Sequence, residues 1–161
     1  MALAGLQSNI TLFHLPFLEL RRLHRRALQA QKRDQLEVVG LLFSAAEKPN
    51  VLRLVFLENV AGEPGRWEVR RDHIARVRRE LRRRGLRVLG LFHSHPVTEA
   101  ILGVRDRQNT PTGWAHLVYD VCGLEPRLFI IRRRKGRRRV ERLALSVGRS
   151  RSFSPRIVSA G

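Results

Sequence analysis

Apolar residues recur along this chain with two different periods, and the change from one to the other marks out its elements. Asn9-Ile10-Thr11-Leu12-Phe13 has the composition of a short strand. Pro16 suits the first turn of a helix. Beyond it Leu20, Leu23, Ala27 and Ala30 recur at three- and four-residue spacing, with Arg21, Arg22, Arg25 and Arg26 between them. That spacing predicts an amphipathic helix with a solvated basic face. Glu37 then opens a second strand that runs to about Ser44. Glu47-Lys48-Pro49-Asn50 reads as a turn, and Val51–Leu57 as the returning strand. Two glycines and a proline between Asn59 and Trp67 mark a loop. Helical spacing returns at Ile74, Val77 and Leu81 and stops at Gly85. A continuous apolar run, Val88–Phe92, follows and ends in His93-Ser94-His95-Pro96. After the loop Val97–Arg105, Pro111 limits any helix starting at Asp106 to a turn or so. Ala115–Asp120, Leu128–Arg133 and Val140–Leu145 read as strands, the last two joined as a hairpin through Lys135-Gly136. Helices and strands mixed in this order, with several antiparallel neighbours, predict an α+β sandwich.

The chain's 161 residues make one domain's worth, and a 43% apolar content excludes wholesale disorder. The expected organisation is a loose lead-in over 1–8, one domain over 9–146 and a disordered Ser/Arg-rich tail over 147–161. The single Cys122 excludes an intramolecular disulfide and a cysteine zinc cluster, and is expected to pack near a strand end. No basic segment followed by a long apolar one begins the chain. No run approaches the roughly 20 apolar residues that cross a bilayer. A cytoplasmic location without a membrane partner is therefore the expectation. The net charge of +18 comes almost wholly from arginine, 29 of 32 basic residues. It would draw acidic partners, nucleic acid among them. An arginine excess with only three lysines is also what GC-rich coding imposes on ordinary surfaces. A DNA-binding motif and the aromatic pattern of single-strand binders are both missing, so nucleic acid is not the favoured partner.

The chemistry concentrates at the end of the His-rich strand. Side chains two apart on a strand point the same way, so His93 and His95 can aim at one point. Pro96 lacks a backbone donor and stops the strand there. Asp106, ten residues beyond His95, can return from the loop with a carboxylate. Two imidazoles, one carboxylate and an open position for water is a common way of holding catalytic zinc. Glu37 lies at the mouth of the other apolar strand, where a base for that water is needed. His14 and His24 read as surface or boundary residues and His73 as a helix-surface residue. His116 reads as half-buried packing rather than a fourth ligand.

Glu37 ahead of Gly40-Leu41-Leu42, His93-Ser94-His95-Pro96, seven intervening residues, position 103, two residues and Asp106 together resemble the motif of the JAMM (MPN-plus, JAB-type) zinc metallopeptidase family. The resemblance extends over roughly residues 9–145. It implies a curved mixed sheet flanked by helices, of the cytidine-deaminase-like kind. It also implies one zinc per chain on His93, His95 and Asp106, with Glu37 as proton shuttle. The implied activity is that of an isopeptidase or peptidase. Its substrate would be an amide after the C-terminal Gly-Gly of a ubiquitin-like or sulfur-carrier protein. Segments 59–71 and 107–114 are short compared with eukaryotic relatives, as in a minimal bacterial form. One position departs: Gly103 stands where the family has Ser, whose hydroxyl helps hold the oxyanion. Thr98, Arg105 or a backbone amide is expected to serve in its place, and a left-handed Gly103 would make a serine there destabilising. A catalytically weak MPN-type scaffold is the alternative reading, and Gly103 is its main support.

Overall fold

The computed structural model describes residues 12–148, so the lead-in and the region beyond 148 lie outside the described residues. Seven strands and three helices follow in the order β1 (Leu12–Pro16), α1 (Phe17–Asp34), β2 (Val39–Ala45), β3 (Lys48–Leu57), α2 (Arg71–Arg83), β4 (Leu86–His95), α3 (Val104–Asn109), β5 (Ala115–Asp120), β6 (Glu125–Arg134) and β7 (Arg137–Gly148). The α+β class and the mixed sheet are as expected. The curvature goes further than a sandwich requires, because the sheet closes on itself in the order β1-β3-β2-β4-β5-β6-β7. β1 closes it, running parallel to both β3 and β7, and the third parallel pair is β4–β5.

Several boundaries differ from the sequence expectation, for local reasons. β1 runs past the expected end at Phe13 to Pro16, in the register Phe13↔Leu145 and Leu15↔Val147 that buries Phe13 and Leu15, while Asn9–Thr11 lie outside the described residues. Pro16 is the last residue of β1 and caps α1 rather than joining its first turn; a residue without an N–H can end a ladder at no cost. The turn before β3 is tighter than predicted, and β3 begins at Lys48. The β6–β7 hairpin is longer at both ends than its apolar stretches. It turns at Lys135 and Gly136, both with positive φ, as a twisted two-residue hairpin demands. Its Arg-rich tip is solvated, so hydrophobicity does not mark its extent.

β2 and β4 are covered on both faces, which is why they read as continuous apolar runs. On one face α1 lays Leu23 and Ala27 against Leu42, Leu54, Phe92, Leu117 and Leu128. On the other, Ile74 and Val77 of α2 pack with Val39, Leu41, Leu91 and Trp114. Burying one such leucine contributes about 2 kcal/mol. A third, smaller cluster joins Ala100 and Leu102 of the loop after β4 to Val118 and Phe129. It folds that loop back over β5 and β6 and so delivers α3 to the end of β4. α1 stops at Gln35, left-handed with φ 53°, where Gln35 N–H bonds Gln31 O and Leu36 N–H bonds Ala30 O. This closure turns the chain so that Glu37 comes to the same end, two residues ahead of β2 instead of inside it.

Close packing of these strands depends on Gly40 and Gly90. A Cβ on Gly90 would collide with the Ala115 carbonyl of β5, and one on Gly40 with the Val55 carbonyl and the Phe92 ring. Backbone cannot yield as a flexible side chain can. Gly90→Ala is therefore expected to destabilise the protein by about 3 kcal/mol, measured by urea denaturation. A loss below about 1 kcal/mol would mean that the β4–β5 pairing is looser than described.

Candidate metal centre

β4 ends inside the protein, and its last residues are buried: His93 and Ser94 fully, His95 at 8% exposure. The alternation of β4 sends Phe92 to the α1 side and Leu91, His93 and His95 to the opposite one, so both rings share a face. Their Nε2 atoms lie 2.9 Å apart. Asp106 Oδ2 lies 3.4 Å from His93 Nε2 and 3.9 Å from His95 Nε2. A Glu37 carboxylate oxygen completes the cluster, within 4.8 Å of a ring nitrogen of each histidine. Four residues named from the sequence, from three separate segments, thus meet at one buried point.

Each is held from behind. Val38 N–H donates to Ser94 Oγ at 2.9 Å and Ser94 N–H to Val38 O at 2.9 Å, which pins the segment carrying Glu37 to β4. Asn59 Nδ2 donates to Glu37 O, and its Oδ1 accepts from Ala61 and Glu68 N–H, so one amide side chain organises the loop and ties it to Glu37. The Trp67 indole N–H donates to Asp106 Oδ1 at 2.8 Å and the Gly103 amide to Asp106 Oδ2 at 2.9 Å. His95 Nδ1 donates to Glu99 O at 2.7 Å. A carbonyl can only accept, so Nδ1 carries the proton and Nε2 keeps its lone pair. His116 is fully buried, its Nε2 2.7 Å from His93 Nδ1 and its Nδ1 2.5 Å from Thr110 Oγ1. It is not the half-buried packing residue expected. Its position against His93 follows from the parallel β4–β5 pairing, which sequence spacing does not reveal. The roles of Asn59, Trp67 and Thr110 also escaped the sequence reading, and Ser94 entered it only as a member of the His93-Ser94-His95-Pro96 motif.

The stand-ins considered for the missing serine hydroxyl fall in three different places. Thr98 Oγ1 lies 3.0 Å from His95 Nδ1, on the side of the ring away from the cluster. The Gly103 amide is occupied by Asp106. Arg105 is exposed and lines a cavity of about 760 Å³ beside Asp106, with Trp67, Ile74, Arg78, Leu91 and Trp114. Gly103 has φ −63° and ψ 170°, ordinary extended backbone at the start of α3, so the left-handed geometry that would exclude serine is not present. Cys122 lies just after β5 and is exposed, its thiol donating to Pro96 O at 3.3 Å.

The electrostatics separate the two carboxyls. Burial pushes Glu37 up from an ordinary 4.5 to about 7, against the opposing pull of His93. Burial also opposes ionisation of Asp106, but the His93 ring and the Trp67 indole N–H outweigh it and hold Asp106 well below the usual carboxylate range. Burial, then proximity to His93, lowers both His95 and His116. Ring nitrogens of two histidines and an ionised carboxylate converge here at 2.9–3.9 Å, a spacing that a cation among them would relieve. This N₂O donor set with an additional carboxyl beside it suits a divalent metal ion such as zinc.

A family model of prokaryotic homologs of the JAB domain matches residues 20–143. No curated protein matches the sequence. Among solved structures, the chain is similar to a protein from Desulfitobacterium hafniense, solved in solution. That likeness has a TM-score of 0.69 and 22% identity over 85% of this chain and 93% of that one. It is also similar to a JAB1/MPN domain protein from Archaeoglobus fulgidus, solved by crystallography. There the TM-score is 0.54 and the identity 20%, over 86% of this chain and 99% of the other. At these identities the likeness is one of fold.

The raised Glu37 pKa has a measurable consequence for metal-free protein. Below about pH 4.5 Glu37 is protonated folded or unfolded and contributes nothing to pH dependence. Between about 4.5 and 7 the unfolded chain releases the proton while the folded one keeps it, so stability falls as pH rises. Glu37→Gln removes this loss. In chelator, the variant is expected to gain on the wild type between pH 5 and 7.5, by on the order of 2 kcal/mol in denaturant titrations. A difference that stays constant over that range would mean that Glu37 titrates as an ordinary surface acid.

Proposed function

Because the chain belongs to the family of prokaryotic JAB-domain homologs, we propose that it is a zinc-dependent peptidase that hydrolyses an amide after a C-terminal Gly-Gly. The substrate would be a ubiquitin-like or sulfur-carrier protein joined to an amine. The reading rests above all on one observation: two histidine rings and an ionised carboxylate meet at a buried point beside a second carboxyl whose pKa lies near 7. Two carboxyls driven apart in this way suit different tasks.

His93, His95 and Asp106 would hold the ion. Zinc, when bound, supplies a Lewis acid that polarises the scissile carbonyl and makes water more acidic. Glu37, poised near neutral pH, takes the proton of the attacking water. It returns that proton to the amine as the C–N bond breaks. The cavity beside Asp106, which Trp67 also lines, would give a Gly-Gly tail without side chains its approach. Arg105, on the cavity wall, would be the donor that meets the developing oxyanion.

A specific observation keeps the scaffold reading in view: Gly103 has no side-chain donor and its amide is already engaged. One assay separates the two. With a labelled Gly-Gly conjugate, wild-type protein is expected to cleave in a zinc-dependent way, and Glu37→Gln to retain zinc while losing roughly 10²–10⁴ in turnover. Gly103→Ser is expected to bring no gain, because the new Cβ would press on Asp106 Oδ2 at 3.1 Å and shift a ligand. No wild-type cleavage, or a gain of more than about tenfold on Gly103→Ser with unchanged zinc and melting temperature, would favour the scaffold instead.

A further inference from the structure

The reading above uses His93 as a ligand through Nε2, and a neutral imidazole has that lone pair free only if its proton sits on Nδ1. Nothing in the motif ensures this. The hydrogen bonds behind the ring do. Resting on the metal-site reading, we propose that His116 and Thr110 are positioning residues that fix His93 in the Nδ1–H form and so present its Nε2 to the cation.

The polarity of the chain of bonds follows from one end. Thr110 Oγ1 lies 2.6 Å from Asp106 O, and two oxygens approach so closely only with a proton between them. The carbonyl has none to give, so the hydroxyl donates to it. A hydroxyl has a single hydrogen, and Thr110 Oγ1 must therefore accept from His116 Nδ1, 2.5 Å away. His116 then has its proton on Nδ1 and a lone pair on Nε2, which accepts from His93 Nδ1 at 2.7 Å. The two rings meet at 77°, an angle that fits an edge-directed N–H. His93 Nε2 is left bare, facing His95 Nε2 and Asp106 Oδ2.

The opposite polarity would put Thr110 O–H on His116, His116 Nε2–H on His93 and a proton on His93 Nε2. It leaves the oxygens of Thr110 and Asp106 in contact at 2.6 Å with no hydrogen between them, inside the protein where neither can turn to water. The chosen polarity gives the polar atoms behind the His93 ring their partners and leaves only the Nε2 atoms of His93 and His95, 2.9 Å apart, for the cation to satisfy. It also closes a ring, because the Asp106 that anchors the chain through its backbone supplies the carboxylate 3.4 Å from the far side of His93. Two ligands on β4 and α3 are thereby joined a second time through β5. An apolar residue at 116 would leave His93 free to take either tautomer.

Two readings in one set of proteins test this. In chelator-treated wild type, nitrogen-15 NMR of the histidine rings is expected to show His93 protonated at Nδ1. His116→Leu and Thr110→Val are expected to shift it towards Nε2–H, and Thr110→Ser, which keeps the hydroxyl, to resemble wild type. By competition with a chromogenic chelator, zinc affinity is expected to fall roughly 10–100-fold in the first two variants and to stay near wild type in the third. His93 protonated at Nε2 in wild type would overturn the proposal. So would a folded Thr110→Val variant that binds zinc as tightly as Thr110→Ser. A wild-type chain that binds no zinc would overturn the metal reading instead, and the tautomer in metal-free protein would still decide the positioning role.

Discussion

Burying ionisable side chains opposes folding unless each finds a partner, and five of them share the buried end of β4: Glu37, His93, His95, Asp106 and His116. The surroundings answer this constraint almost atom by atom. Glu99 O takes the proton of His95, Thr110 takes up His116 and donates in turn to the Asp106 carbonyl, and Trp67 and the Gly103 amide satisfy the Asp106 carboxylate. Glu37 has the fewest partners for its carboxyl, and its pKa rises accordingly. The unequal partnering of two neighbouring carboxyls separates a ligand from a proton carrier without any difference in their covalent chemistry.

The fold serves that arrangement. Two-sided burial of β2 and β4 makes the end of β4 a dry place, and Gly40 and Gly90 let neighbouring backbones close on it. The parallel β4–β5 pairing needs a crossover connection, and the segment that makes it carries Glu99, Gly103, Asp106 and Thr110. Its apolar residues Ala100 and Leu102 anchor it on Val118 and Phe129, so the ligand-bearing connection is held by packing as well as by hydrogen bonds. Arg138 of β7 reaches the Thr110 and Arg107 carbonyls beyond α3, a use of the basic hairpin that binds no outside partner.

The sequence was most legible where local pattern and buried face coincide. The Ala115–Asp120 strand, the α2 stripe and the turn at Lys135-Gly136 all lie where periodicity put them. Glu37, His93, His95 and Asp106 were legible because strand parity and the spacing of a known motif agree about them. What escaped depends on which strands become neighbours. His116 is one more residue in an apolar run until β5 is laid parallel to β4, and Thr110 is a polar residue before a proline until α3 folds back. Ring closure by β1 was equally hidden, since a five-residue strand carries no mark of its partners. Gly103 shows the reverse case. The sequence flagged it, and backbone angles and contacts were needed to see that a serine there would crowd the neighbouring carboxylate rather than strain the backbone.

That the buried cluster is a cation site is the claim on which the account stands. The direct measurement is the metal content of protein purified without chelator, by elemental analysis, for the wild type and for His93→Ala/His95→Ala. The account predicts about one zinc per wild-type chain and essentially none in a folded double variant. A metal-free wild type that cannot be loaded with zinc would contradict it, and so would full zinc content in the double variant.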